Sequence, residues 1–221
     1  TGNKSIAIGH QALLNQNYDG DAFNTAVGHN VGAAITTGTH NTLIGGFAGD
    51  ALTTGVQNTV LGSQALSAED TESYNTAIGY QALYAQDGGA NNTAIGNQAG
   101  DAVTDGDNNT LVGSGAGGAI TSGTNNICVG QASGLVLTTG NNNVYIGRDS
   151  DASASGVNNE IVIGEATAGN GSNTVTLGNG SVSGLHCQVN SISALSDKRD
   201  KTNIKDSEYG LNIIEDLKPV T

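Results

Sequence analysis

The chain has 221 residues and a formal net charge of -13, with aromatics at 4%, 34 glycines, one proline and neither Trp nor Met. The acidity argues against a nucleic-acid partner, because a phosphate backbone is held by Lys and Arg that displace its counterions; it suits a long solvated surface. So few large side chains exclude an ordinary core, while the Ile, Val and Leu among the glycines, and the lack of Gly at every third position, exclude a linker and collagen.

No signal peptide is read at the start of the chain, and the missing initiator Met suggests a fragment, so the lack of a signal says little about the parent protein. No stretch approaches the 18 or so apolar residues of a membrane span, so no membrane insertion is expected.

From the N-terminus onward the sequence is periodic. Aligned on "NTAIG", a glycine recurs as Gly28, Gly45, Gly62, Gly79, Gly96, Gly113, Gly130, Gly147 and Gly164, every interval being 17 residues. Gly9 and Gly178 extend the series with intervals of 19 and 14. Four residues before the glycine stand Asn24, Asn41, Asn58, Asn75, Asn92, Asn109, Asn126 and Asn143. The position just before it holds Val27, Ile44, Leu61, Ile78, Ile95, Val112, Val129, Ile146 and Ile163, and the one before that Ala26, Leu43, Val60, Ala77, Ala94, Leu111, Cys128, Tyr145 and Val162.

Seventeen residues are too few for the helix pair of a tetratricopeptide or ankyrin unit. A β-branched core bounded by Gly and Asn reads as a short strand between turns. One coil of a parallel β-solenoid fits that length, with equal positions stacked about 4.8 Å apart. The fold class is therefore all-β, a β-solenoid (β-roll) of 17-residue coils over residues 1 to 180. Nine periods predict a rod on the order of 45 Å long. The asparagines should stack as a side-chain amide ladder.

Adjacent strand residues point to opposite faces, yet both strand columns are apolar. One dry face serves the coil itself, and a second implies a cover on the outside. With four or so small apolar residues per coil, the core calls for reinforcement by a metal, a disulfide or self-association. Cys128 and Cys187 match no metal spacing and read as small hydrophobes. His10, His29, His40 and His186 have no helix-face spacing for zinc. "TDGDNN" at 104 to 109 lacks the G-G-x-G-x-D-x-U-x repeat of calcium β-rolls. No metal and no cofactor are expected, which leaves self-association. Asp50 and Asp101 sit in a recurring position, which favours surface over chemistry. Tyr18, Tyr74, Tyr80 and Tyr84 lie in or beside turns, where they either pack on the adjacent coil or stack on sugar.

"SIAIGHQAL", "NTLIGGFAG", "NTAIGYQAL" and "NTAIGNQAG" resemble the head repeats of trimeric autotransporter adhesins. The resemblance covers roughly residues 3 to 180 and implies a left-handed parallel β-roll in a homotrimer. The strict 17-residue spacing departs from the bacterial family.

After an extended neck, residues 181 to 195, the composition changes. Five of the seven Lys and Arg fall within residues 196 to 221. "SEYGLNIIEDLKPV" reads as an amphipathic helix with Leu211, Ile214 and Leu217 on one side, ended by Pro219. "LSDKRDKTNI" followed by "GLNIIEDLKPV" resembles the start of the intramolecular chaperone domain of phage endosialidases and tail fibres, a self-cleaving peptidase. That resemblance implies Ser196 as nucleophile, Lys201 as its base and cleavage of the Leu195–Ser196 bond. A hydroxyl needs a neighbouring base, and a partly desolvated Lys can serve. The shaft itself carries no expected enzymatic activity.

Joined together, the two resemblances imply a virion protein. It would be a host-attachment fibre of a phage tail, trimeric, with a host-surface receptor, a glycan among the candidates, and a chaperone that aligns three chains and is then removed. A bacterial cell-surface trimeric adhesin is the alternative, and a polysaccharide depolymerase ranks below both.

Overall fold

The computed structural model describes residues 4–68, 71, 73–184 and 186. The expected helix around Leu211, Ile214 and Leu217 lies outside the described residues, as does the neck from residue 187 onward. The chain divides into a unit spanning Thr1–Ser183 and a second spanning Gly184–Thr221, and every strand belongs to the first.

Eleven three-residue strands follow one another: β1 Ile6–Ile8, β2 Thr25–Val27, β3 Thr42–Ile44, β4 Thr59–Leu61, β5 Thr76–Ile78, β6 Thr93–Ile95, β7 Thr110–Val112, β8 Ile127–Val129, β9 Val144–Ile146, β10 Ile161–Ile163 and β11 Val175–Leu177. They form one parallel sheet in chain order. Each residue pairs with the one 17 positions on, as in Ala77 with Ala94. At the ends the offset changes, Ile6 pairing with Thr25 and Ile161 with Val175. The unit is a β-solenoid, and among the described residues no helix interrupts it. Ten interstrand steps of about 4.8 Å make it roughly 48 Å long.

Strands stop after three residues because left-handed backbone brackets them. Before each ladder position sits a residue with positive φ, for example Asn91 at 60°, Asn108 at 58° and Asn125 at 57°. Asn tolerates that region through its short polar side chain. After each strand comes the repeat glycine, with φ from 131° to 151° between Gly9 and Gly164. Along the strands backbone groups pair between coils, Thr76 N–H donating to the Asn92 carbonyl at 2.8 Å and Gly79 N–H to the Leu61 carbonyl at 2.8 Å, while turns within a coil close on themselves, as Val103 N–H on the Gly100 carbonyl at 3.0 Å.

The core is a file of small layers. The middle residue of each strand from Ala26 to Val162 is fully buried. Opposite it stand Ala48, Ala65, Ala82, Ala99 and Ala116, with Ile35, Leu52, Val103, Ile120 and Leu137 at the side. Volumes are traded across the coil: a Cβ on Gly117 would lie 2.6 Å from a Leu111 methyl, and one on Gly49 3.1 Å from a Leu43 methyl. In the coil where the strand offers only Ala77, the facing position is the buried Leu83. In these layers large meets small, which is how an interior with few large aromatics reaches native density.

Candidate functional site

The outer side of the sheet is the first candidate. In each strand the middle residue points inward and the flanking two point out, giving the pattern exposed, buried, exposed in β3 and β4. The outward column before the glycines is apolar throughout yet open, with Ile8 at 59%, Leu61 at 46% and Leu177 at 48% exposure. None of the strand residues carries a charge. A long uncharged apolar row on a chain this acidic is a candidate interaction surface.

Behind that face runs the asparagine file, and all eight asparagines are buried. Their links differ from a simple amide-on-amide stack. Each Oδ1 accepts the backbone N–H of the next asparagine, as from Asn41 to Asn24 at 2.9 Å and from Asn92 to Asn75 at 2.8 Å. The Nδ2 groups turn to carbonyls across the coil, as from Asn92 to Gly106 at 2.7 Å and from Asn126 to Gly140 at 2.9 Å. Within the file, side-chain to side-chain bonds join Asn109 to Asn92, Asn126 to Asn109 and Asn143 to Asn126, at 3.1, 3.1 and 3.0 Å. The amide thus serves backbone groups that the tight turns would leave unpaired.

Two residues outside the predicted file end it. At the start, Ser5 Oγ accepts the Asn24 N–H at 3.2 Å. At the end, Glu160 stands one period after Asn143, whose Oδ1 takes the Glu160 N–H at 2.8 Å. The fully buried Glu160 carboxylate accepts from Tyr145 Oη at 3.0 Å, Ser153 N–H at 3.2 Å and Gly171 N–H at 2.8 Å. A carboxylate is acceptor-only, so the donor-and-acceptor relay stops there. The last coil, three residues shorter, folds its turn onto it. Burial raises the Tyr145 phenol well above its usual range, and the Glu160 carboxylate adds to the rise. Cys128, a free buried thiol, is pushed up to about 12 by burial and then by Asp151, so it is inert as a nucleophile. Asp151 itself is raised by burial, against the pull of hydrogen bonds from the Val136 and Ala152 N–H groups.

The repeat glycines pack backbone on backbone. A Cβ on Gly79 would lie 2.2 Å from the Gly96 carbonyl oxygen, and one on Gly113 2.4 Å from that of Gly130. From Gly9 to Gly147 the column has no room for any side chain.

Other candidates spread out. Asp50 and Asp101 occupy one column three coils apart, about 14 Å; that exceeds the separations of both glycosidase mechanisms. Asp50 accepts from Ser67 Oγ at 2.6 Å, and partial burial raises Asp101. His10 stacks on His29 with centroids 5.2 Å apart, and Phe47 meets His29 edge-on. Among the described residues no three His, Cys, Asp or Glu side chains could hold a metal ion. Tyr18, Tyr74, Tyr80 and Tyr84 are all more than a third exposed, and the last three lie in the coil that contains β5. Ser196, Lys201, the Leu195–Ser196 bond and Cys187 lie outside the described residues.

No protein-family model, no curated protein and no solved structure matches the chain. The class that the fold defines is the parallel β-solenoid with a buried asparagine file and an open apolar face.

Proposed function

We propose that the chain is the shaft of a trimeric, host-attaching fibre of a phage tail, followed by the opening residues of a removable assembly chaperone. The open apolar column from Ile8 to Leu177 carries the reading. Each coil's interior and backbone bonds are complete without it, so its function is to meet something outside. A sister chain supplies the same columns at the same 4.8 Å spacing, and a closed ring of identical chains leaves no row wet. Exposed rings of Tyr74, Tyr80 and Tyr84 give the outer turns a surface on which a glycan receptor could stack. The motif from Ser196 to Lys201 and on to Pro219 supports the phage assignment. Near-identical coils can pair one period out of step at little cost, so an end clamp that is later cut away makes physical sense.

Two measurements test it. Light scattering on the 221-residue chain should give three times the monomer mass, and a folded monomer overturns the shaft reading. In the complete parent protein, Ser196→Ala should leave a single uncut band in place of two fragments. Unchanged processing would remove Ser196 from its role. A parent gene that encodes a signal peptide and a C-terminal membrane anchor would move the protein to a bacterial surface.

A further inference from the structure

The outer face is not uniform along its length. The third residue of every strand is aliphatic, but the first is Ile6 in the terminal strand β1, Thr25, Thr42, Thr59, Thr76, Thr93 and Thr110 in β2 to β7, and then Ile127, Val144, Ile161 and Val175 in β8 to β11. From β8 onward both outward positions are therefore aliphatic, and each strand has an open one, Ile127 at 40%, Ile146 and Ile163 at 39%, and Val175 at 61% exposure, with Val129, Val144 and Ile161 half-buried beside them. Four strands make a patch about 15 to 20 Å long. Beside it Arg148 pairs with Asp149 and Glu165, a charged rim one residue past the repeat glycines.

Covering the two regions has different consequences. Over β8 to β11 only apolar surface leaves water. Over β2 to β7 a file of threonine hydroxyls must keep water or find partners as it is covered, which offsets part of the gain. Apart from the single terminal strand β1, where Ile6 meets Thr25, the change between Thr110 and Ile127 is the step in a column that otherwise repeats itself. Chains shifted by one coil keep threonine beside threonine along β2 to β7 but set Thr110 beside Ile127 and leave one dry strand unpaired at the end. A register that the rest of the face leaves open is specified by that step.

We propose that β8 to β11 form the patch where copies of this chain first join and which fixes their axial register, with β2 to β7 closing afterwards. The occupant is a second copy, because the patch is uncharged, apolar at its centre, charged at its rim and spaced like itself. This rests on the trimeric reading above.

The experiment is refolding of the 221-residue chain from denaturant, followed by light scattering at several chain concentrations. One variant carries Ile127→Thr, Val144→Thr and Ile161→Thr. Each substitution installs the residue that six other coils carry in that column, so the coil's own interior is untouched. The comparison variant carries Val27→Thr, Ile44→Thr and Leu61→Thr, the same number of aliphatic residues removed from the other end. Interactions formed in the assembly nucleus slow association when removed, whereas late ones mainly speed dissociation. The first variant should form trimers about tenfold more slowly than the parent, and the second within about threefold of it. Equal slowing, or a larger effect at the N-terminal end, overturns the nucleation patch while leaving the trimer standing. A parent chain that stays monomeric overturns the trimer and this inference with it. Should a triple variant fail to fold, Ile161→Thr alone should still assemble more slowly than Ile44→Thr alone, and the reverse order counts against the patch.

Discussion

Gly96→Ala is expected to lower stability by roughly 2 to 6 kcal/mol, enough to split the solenoid at its middle. Two independent penalties add. The backbone at Gly96 has φ of 142°, a region that side chains avoid. An added Cβ would also lie 2.4 Å from the Gly113 carbonyl oxygen and 2.6 Å from its carbon, both main-chain atoms that cannot turn aside. Relief requires the two coils to part, and parting them breaks the strand pairing between β6 and β7 as well as the asparagine file behind it. Because each coil touches only its neighbours, the damage stays local in contact but divides one cooperative stack into two shorter ones. Gly46→Ala is the matched control, since nothing lies within 4 Å of its Cβ position and its φ is not positive. That variant should stay within about 0.5 kcal/mol of the parent. Urea midpoints for both and for the parent, measured at one chain concentration, decide the matter. Equal midpoints would mean that the glycine column does not stack at interstrand distance.

Why the fold was legible in the sequence, and parts of the site were not, follows from what a solenoid repeats. Stacking gives every coil the same surroundings, so positions with one strict requirement surface as columns: Gly28 to Gly164, where a Cβ has no space, and Asn24 to Asn143, where a short side chain must both donate and accept. Features that depend on contact across a coil leave no column. Leu111 is matched by Gly117 and Ala77 by Leu83, but which residues face each other is set by the path of the turn. The left-handed residue before the file did leave a trace, in the doubled asparagines Asn91–Asn92, Asn108–Asn109, Asn125–Asn126 and Asn142–Asn143. The first of each pair bends the chain and the second enters the file. Phe23, His40, Gln57 and Tyr74 do the same bending with positive φ, and their variety hides the rule. Ser5 and Glu160 were missed because they end the pattern instead of repeating it. Counting one period on from Asn143 reaches Glu160, and a lone acid in a buried polar column is the signal of a terminus. The amide-on-amide expectation was too narrow for a related reason. The spacing of the coils fixes which side chains are neighbours, but the demand of unpaired turn carbonyls decides where Nδ2 points.

Asn109→Ala should cost about 2 to 6 kcal/mol, because two buried backbone groups lose their partners at about 1 to 3 kcal/mol each. Asn109 Oδ1 accepts the Asn126 N–H at 3.0 Å, and its Nδ2 donates to the Gly123 carbonyl at 2.9 Å. Alanine supplies neither. Asn109→Asp separates the two functions. The introduced carboxylate still accepts from Asn126 N–H, but it sets an anionic oxygen against the Gly123 carbonyl in a fully buried position. Burial raises the folded-state pKa of that group above its unfolded value of about 3.9. A raised pKa means that the folded chain holds the proton more tightly. The variant is therefore closest to the parent below about pH 4, where the protonated acid can donate to the carbonyl. Its deficit grows as pH rises and reaches its full size once the folded-state carboxyl has ionised. The alanine variant has no such group, so its deficit against the parent should be flat over the same range. Thermal midpoints of all three chains between pH 3 and 8 test this. Parallel curves for the two variants would show that the file is held by shape alone, and a flat, small cost for both would show that its hydrogen bonds do not hold the coils together.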